Sequence, residues 1–113
     1  MKIEVRFHQL EMSDALREHA LRRVHVELAH FTEEVSAVTL RLSDLNGPKG
    51  GHDKRCHVEL QLRGVGAINV DERNEDAYAA VETAVERAAR SGGRELAKLR
   101  ASRRVDAGTR KAR

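Results

Sequence analysis

Residues 74–104 constrain the fold more than any other stretch, because two different stripes run along them at helical spacing. With about 100° of rotation per residue, one face of a helix collects mostly small and apolar side chains: Ala77, Val81, Ala84, Ala88, Glu95 and Leu99, with Val85, Gly92 and Leu96 on its flank. Another face, within about 80°, collects four cations: Arg87, Arg90, Arg94 and Lys98. The first stripe can pack on a sheet while the second points outward as a row of cations.

The start and the middle of this helix are also marked in the sequence. Asn74 can cap the first turn, where Glu75 and Asp76 suit the positive end of the helix dipole. Gly92 and Gly93 each cost about 1 kcal/mol relative to alanine in a helix. The pattern resumes in phase after them, so we predict one long helix to about residue 104, followed by a flexible basic tail over residues 105–113.

The rest of the chain shows one more helix and four strands. Residues 14–31 carry an apolar stripe at helical spacing, and Ser13 is placed as the N-cap of that helix. Apolar and polar residues alternate along four segments, which predicts strands at residues 2–7, 35–45, 56–63 and 67–71. Residues 46–55 form a turn-rich loop.

The order β-α-β-β-β-α favours an α+β fold. We predict a two-layer sandwich in which a four-stranded sheet carries both helices on one face. At 113 residues the chain is long enough for one domain, placed at residues 1–104. No apolar run approaches the roughly 20 residues of a membrane span, and Cys56 has no second cysteine to pair with. We therefore expect a cytoplasmic protein that has no membrane partner.

The charge is distributed unevenly along the chain. Residues 94–113 hold eight Lys/Arg and two Asp/Glu, a net charge of +6, whereas residues 1–93 hold thirteen and sixteen, a net charge of −3. Cations gathered at one end suggest a directed contact with a polyanion. A solvated helix end with a basic tail is the alternative interpretation.

Catalytic and metal sites find little support in the residues. His52, Asp53, Cys56 and His57 are of types that bind zinc, but neighbouring residues of a strand such as Cys56 and His57 point to opposite faces. The glycine-rich loop lacks the full phosphate-loop pattern. We expect no enzyme activity, no cofactor, no metal and no small-molecule substrate.

Nucleic-acid binding fits the remaining features. Arg23 of the first helix and the cation row of the second could line one surface, while Arg17 and Arg22 project elsewhere on the first helix. With only three aromatic residues for base stacking, such a surface would recognise phosphate positions and RNA shape, and binding should weaken steeply with salt. An acidic protein as the partner of a regulatory interaction module is the alternative.

Two segments give the chain a family resemblance. S-D-A-L-R-E-H stands at residues 13–19 after the first strand, and E-D-A-Y-A-A-V stands at residues 75–81 after a strand that ends in Asp71-Glu72. In this order the segments resemble the short form of the bacterial ribosome hibernation-promoting factor and ribosome-associated inhibitor A family. The likeness covers roughly residues 2–100.

The resemblance implies a domain that binds the small ribosomal subunit and its rRNA, in the cleft between head and body. Family members occlude the messenger and transfer RNA channel there, and silence idle ribosomes in stationary phase or under stress. By position, the basic sites of the family fall on Arg23 and on the row Arg87, Arg90, Arg94 and Lys98, with Arg17 and Arg22 as looser matches. Val26 replaces a residue that is often basic in the family, and the tail is basic, so another structured RNA stays open as a target.

Overall fold

The protein folds into the predicted order of elements, with one short helix added. The structure is a computed structural model that describes residues 1–45 and 53–111. Its elements are β1 (Lys2–His8), α1 (Asp14–Glu27), a 3₁₀ helix (Ala29–Glu34), β2 (Val35–Asp44), β3 (Lys54–Leu62), β4 (Gly66–Asn74) and α2 (Ala77–Lys111). Most of the predicted loop at residues 46–55 lies outside the described residues.

The four strands form one mixed sheet in the order β1-β2-β3-β4. β1 is parallel to β2, because α1 crosses over between them, and the other neighbours are antiparallel. Apolar residues lie side by side across the sheet, as in the row Val5, Leu40, Val58 and Val70. Both helices cover this apolar face, so the predicted α+β two-layer sandwich is confirmed.

The core lies between the sheet and the helices. α1 contributes Leu16, Ala20 and Val24. α2 contributes a stripe of mostly small side chains: Ala80, Val81, Ala84, Val85, Ala88, Ala89, Gly92 and Leu96. The predicted stripe therefore faces inward, although its two ends, Ala77 and Leu99, are only half-buried.

Side-chain caps set the starts of both helices. Ser13 caps α1 as predicted, because its Oγ accepts a hydrogen bond from the Leu16 backbone N–H at 3.2 Å. The predicted N-cap of α2, Asn74, is wrong by two residues, because β4 continues through Asn74. Asp76 is the residue that caps α2, and its Oδ1 accepts a hydrogen bond from the Tyr78 N–H at 2.9 Å.

The ends of both helices also differ from the prediction. The predicted first helix, residues 14–31, ends at Glu27, and the 3₁₀ helix that follows contains Phe31 with a non-helical φ of −142°. This kink turns the Phe31 ring into the core, where it is 9% exposed. α2 continues past the predicted end at residue 104, with helical backbone as far as Lys111. The assignment of residues 105–113 to a flexible tail stays a prediction.

Gly92 lies where α2 packs closely against side chains of the sheet. A Cβ atom at Gly92 would lie 3.0 Å from Leu60 Cδ2 and 3.3 Å from Leu62 Cδ1, closer than ordinary van der Waals contact. A Cβ atom at Gly93 would have no neighbour nearer than a Phe31 ring carbon at 3.9 Å. The first glycine therefore serves packing, and the helix is continuous through both positions.

We expect opposite effects from alanine at these two adjacent positions. Gly93→Ala should raise the free energy of unfolding by about 0.5–1 kcal/mol, because alanine favours the helix and the added methyl group has room. The free energy of unfolding of Gly92→Ala should be about 1–2 kcal/mol lower than that of Gly93→Ala, because the added methyl group crowds Leu60 and Leu62. Urea denaturation followed by circular dichroism measures both. Equal stabilisation by the two variants would contradict the close approach at Gly92.

The sheet face away from the helices is polar, and Asp71 is a centre of its hydrogen bonding. Arg55 donates to both carboxylate oxygens of Asp71, from Nε at 2.7 Å and Nη2 at 2.9 Å, and His57 Nδ1 lies 3.0 Å from Oδ1. The Arg55 guanidinium and the His57 ring together lower the pKa of Asp71 from 3.8 to about 2. Cys56 of β3 points to the opposite face of the sheet, into the core, where burial raises the pKa of its thiol to about 12.

Asp71 should make part of the stability depend on acid pH. Since its pKa is lower in the folded chain than in the unfolded chain, its contribution is complete above about pH 4 and is lost as pH falls towards 2. Half of the side chain is exposed, so solvent screening should keep this contribution below about 1 kcal/mol. The free energy of unfolding, measured by denaturation at pH 7 and at pH 2.5, should differ less between the two pH values in Asp71→Asn than in the unaltered chain. An identical difference in both proteins would exclude this role of Asp71.

Candidate nucleic-acid interface

The outward face of α2 carries an uninterrupted row of cations. The buried stripe fixes the rotation of the helix, so Arg87, Arg90, Arg94 and Lys98, which we call the α2 row, lie outside the buried face, and all four are exposed. The row covers three turns, or about 16 Å of helix. A strip of this length can follow several phosphates of a nucleic-acid backbone.

Most of the charge in the α2 row is available to a partner. Arg90 has no carboxylate within ion-pair distance among the residues that the structure describes. Arg94 donates to the Ser91 hydroxyl at 3.3 Å, and Lys98 contacts Glu95 at 3.4 Å with 74% of its side chain exposed. Arg87 is the member of the row with a firm partner, because it forms an ion pair with Glu72 of β4. The row is therefore most strongly cationic from Arg90 onward.

Arg23 lies in a different electrostatic environment, in the seam between α1 and α2. Its Nη2 donates to Glu27 of the same helix at 2.5 Å and lies 3.5 Å from Glu86 of α2. Only 24% of its side chain is exposed. The glutamates neutralise Arg23, and Glu86 lies between it and the α2 row on the helix surface. The structure does not bring Arg23 and the row together as one free basic patch.

A histidine extends this seam towards the start of α2. His19 Nε2 lies 3.6 Å from Glu82, and the imidazole ring meets the Tyr78 ring edge to face, with the centroids 5.1 Å apart. The flank of α2 that faces α1 is thus acidic, with Glu82 and Glu86 in successive turns. This flank separates the cations of the two helices.

The two remaining predicted residues of α1 point in different directions. Arg17 packs towards β1, with its guanidinium carbon 5.7 Å from the centre of the Phe7 ring and Nη2 3.2 Å from Met12 Sδ. Arg22 is exposed on the solvent side of α1. Neither of them lies beside the α2 row.

Further cations follow the row along α2. Arg103 and Arg104 are exposed, and Arg100 donates to Glu34 at the end of the 3₁₀ helix at 2.8 Å. These three residues are absent from the predicted site. The excess of positive charge in residues 94–113 was their signal in the sequence.

Other kinds of site gain no support from the described part of the chain. No group of three or more histidine, cysteine, aspartate or glutamate side chains is close enough to hold a metal ion among residues 1–45 and 53–104. His52, one of the candidate ligands, lies outside the described residues, and Cys56 is buried on the face opposite His57. No described helix is long and apolar enough to cross a membrane.

The chain matches a known protein family. Residues 3–100 match the family model described as Sigma 54 modulation protein / S30EA ribosomal protein. A search of curated proteins found no match.

Two solved structures are similar. The Protein Y N-terminal domain of Thermus thermophilus shares 27% identity over 80% of this chain and 94% of that one, with a TM-score of 0.65. A structure described as a ribosomal subunit interface protein from Coxiella burnetii has a TM-score of 0.70, with 21% identity over 89% of this chain and 99% of that one, and shows the same fold.

The family model covers nearly all of the chain, from β1 into the second half of α2. The resemblance to the hibernation-promoting factor family is thereby confirmed. This chain belongs to the Sigma 54 modulation protein / S30EA ribosomal protein family.

Proposed function

We propose that this chain is a non-enzymatic cytoplasmic factor that binds rRNA of the small ribosomal subunit and blocks the messenger and transfer RNA channel of idle ribosomes. The observation that carries the proposal is the α2 row, an exposed strip of cations on a rigid helix. Family membership supports the ribosome as the partner, as does the similar structure that is described as a ribosomal subunit interface protein.

The chemistry of the α2 row suits phosphates better than bases. Arginine guanidinium groups bind phosphate oxygens in a fork geometry, and each phosphate contact releases counterions from the RNA. Among the described aromatic residues, Tyr78 is the most exposed at 39%, and it lies at the start of α2 in contact with His19. The outward face of α2 therefore offers charge without a platform for base stacking.

The shape of the molecule supports occlusion. It is 66 Å long but only 22 × 17 Å in cross-section, because α2 extends beyond the sheet. A narrow rod with cations along one side can enter a channel lined by RNA. The helix is already ordered by its packing on the sheet, so binding would carry little entropic cost for folding this surface. Inhibition would then be steric, since the bound domain fills space that messenger and transfer RNA need.

Reversing the row tests the proposed function directly. The variant Arg87→Glu, Arg90→Glu, Arg94→Glu should lose co-sedimentation with small subunits at near-physiological salt, with affinity lowered at least about 100-fold, because attraction to phosphates becomes repulsion. Circular dichroism should keep the signature of the fold, since all three side chains are exposed and lie outside the core, although Arg87→Glu removes the ion pair with Glu72. Retained co-sedimentation of this variant would exclude the α2 row as the contact.

A matched pair of single substitutions tests whether binding depends on the exposed arginines of the α2 row or on the arginine that carboxylates neutralise in the helix seam. Arg90→Gln removes a cation that has no carboxylate partner in the part of the chain that the structure describes, and it should weaken binding several-fold. Arg23→Gln removes a cation that Glu27 and Glu86 already neutralise, so binding should change less than about twofold. The measurement is the affinity for small subunits, with thermal unfolding as the control for folding. A larger loss from Arg23→Gln than from Arg90→Gln would mean that the seam, rather than the row, contacts the RNA.

Treatment with ribonuclease distinguishes the alternative partner. If the chain instead binds an acidic protein, the complex should survive ribonuclease and contain no ribosomal subunits. Loss of the complex after ribonuclease supports rRNA as the partner.

A further inference from the structure

The uncovered face of the sheet places arginines directly opposite each other on neighbouring strands. In the register of the sheet, Arg6 of β1 pairs with Arg41 of β2, and Arg55 of β3 pairs with Arg73 of β4. All four point away from the helices, because their neighbours Val5, Leu40, Leu42 and Cys56 point into the core and Arg73 shares the face of Arg55. Two arginine pairs thus lie on the side of the domain opposite the helices.

Fold stability does not explain these pairs. Like charges directly opposite in a sheet are destabilising, since their Cβ atoms are only about 5 Å apart. One member of each pair is relieved by a carboxylate: Arg6 contacts Glu4 at 2.6 Å, and Arg55 contacts Asp71 at 2.7 Å. The other members, Arg41 and Arg73, are exposed and form no ion pair with a carboxylate among the described residues, although the Glu4 carboxylate still attracts Arg41 from a longer distance.

The cations are also gathered in one half of this face. The half at the end of β2 and the start of β3 contains the two arginine pairs, together with His8, Ser43, His57 and Asp71. Four arginines, together with Asp71 and the Glu4 carboxylate that contacts Arg6, give it a net charge of +2 when the histidines are neutral. In the other half, the central strands present Thr39, Gln61 and Glu59 in place of arginines. This division makes one end of the face a site for an anion.

The chemistry of the surface selects the kind of anion. Its outward side chains are polar, and apart from the imidazole rings of His8 and His57 none of them is aromatic or aliphatic at the arginine pairs. Both ring nitrogens of His57 are already engaged, by Asp71 and Asn69, so the surface offers charge in preference to base stacking or an apolar contact. The guanidinium groups lie on strands about 5 Å apart, and such planar groups bind phosphate in bidentate geometry. Two phosphates of an RNA backbone would neutralise Arg41 and Arg73 in the way that carboxylates already neutralise Arg6 and Arg55.

We propose that Arg41 and Arg73, supported by Arg6 and Arg55, form a second phosphate-binding surface that contacts rRNA on the side of the domain opposite the α2 row. This inference rests on the proposed function, because it requires a ribosomal partner. The domain is about 20 Å thick in both short dimensions, so in a cleft lined by RNA its two opposite faces can touch phosphates at the same time. The domain is then held between two RNA walls.

The variant Arg41→Gln, Arg73→Gln tests the second surface. Affinity for purified small subunits should fall on the order of tenfold at a fixed salt concentration, because two charge-assisted contacts are lost. The slope of log affinity against log salt should become shallower by about 1.4–1.8, which corresponds to two phosphate contacts. The thermal midpoint of the free protein should stay equal or rise, since repulsion within each arginine pair is relieved.

Two comparisons make the outcome decisive. Lys2→Gln removes a cation from the other half of the same face and should leave the salt slope unchanged. The triple reversal of the α2 row, measured alongside, reports on the proposed function itself. Unchanged affinity and slope in Arg41→Gln, Arg73→Gln, with binding lost in the triple reversal, would overturn the second surface alone.

Three further outcomes would overturn the second surface. Unchanged binding in both the sheet variant and the triple reversal would overturn the proposed function together with the inference. A lower thermal midpoint of the sheet variant would show that the arginine pairs are structural and would overturn the inference. Equal loss of affinity with Lys2→Gln would exclude a site localised at the arginine pairs.

Discussion

The close packing of α2 on β3 and β4 is the contact on which the other features depend. Small side chains, from Ala80 to Gly92, let the helix approach the sheet, and Gly92 fits against Leu60 and Leu62 where even a methyl group would be crowded. This contact fixes the rotation of α2 about its axis. Since the rotation is fixed, Arg90, Arg94 and Lys98 face solvent, Arg87 reaches Glu72 of β4, and the glutamates at positions 82 and 86 face α1. The position of the charge is therefore a consequence of the core.

Carboxylates then decide which of the cations a partner can reach. Arg23 is neutralised in the helix seam, Arg87 is paired with β4, and the later members of the α2 row are largely unpaired. On the sheet face, Glu4 and Asp71 relieve one member of each arginine pair and leave the other exposed. The same arrangement appears on both sides of the domain. Carboxylates neutralise some of the arginines there, and other arginines of the same rigid surface stay exposed to a partner. Exposed arginines at fixed positions would orient the domain on a polyanion as large as rRNA as well as attract the two to each other.

The sequence alone predicts the parts of the structure that depend on local periodicity. The strands, the α+β sandwich, the Ser13 cap and the outward row of α2 all follow from spacings of two or about 3.6 residues. What it does not predict depends on neighbours distant in sequence. The kink at Phe31 reflects core packing, and the start of α2 at Ala77 follows from the length of β4. The neutralisation of Arg23 requires Glu86 of another helix, and the pairing of Arg41 with Arg6 requires the sheet register. These long-range placements separate the free cations from the compensated ones.

The most direct measurement of the central claim is a cryo-electron microscopy structure of the chain bound to a small ribosomal subunit. We expect rRNA phosphates within hydrogen-bonding distance of Arg90 and Arg94 on one side of the domain, and of Arg41 and Arg73 on the other, with the seam around Arg23 turned away from phosphates. A complex in which the α2 row faces solvent, while rRNA contacts the helix seam, would contradict it.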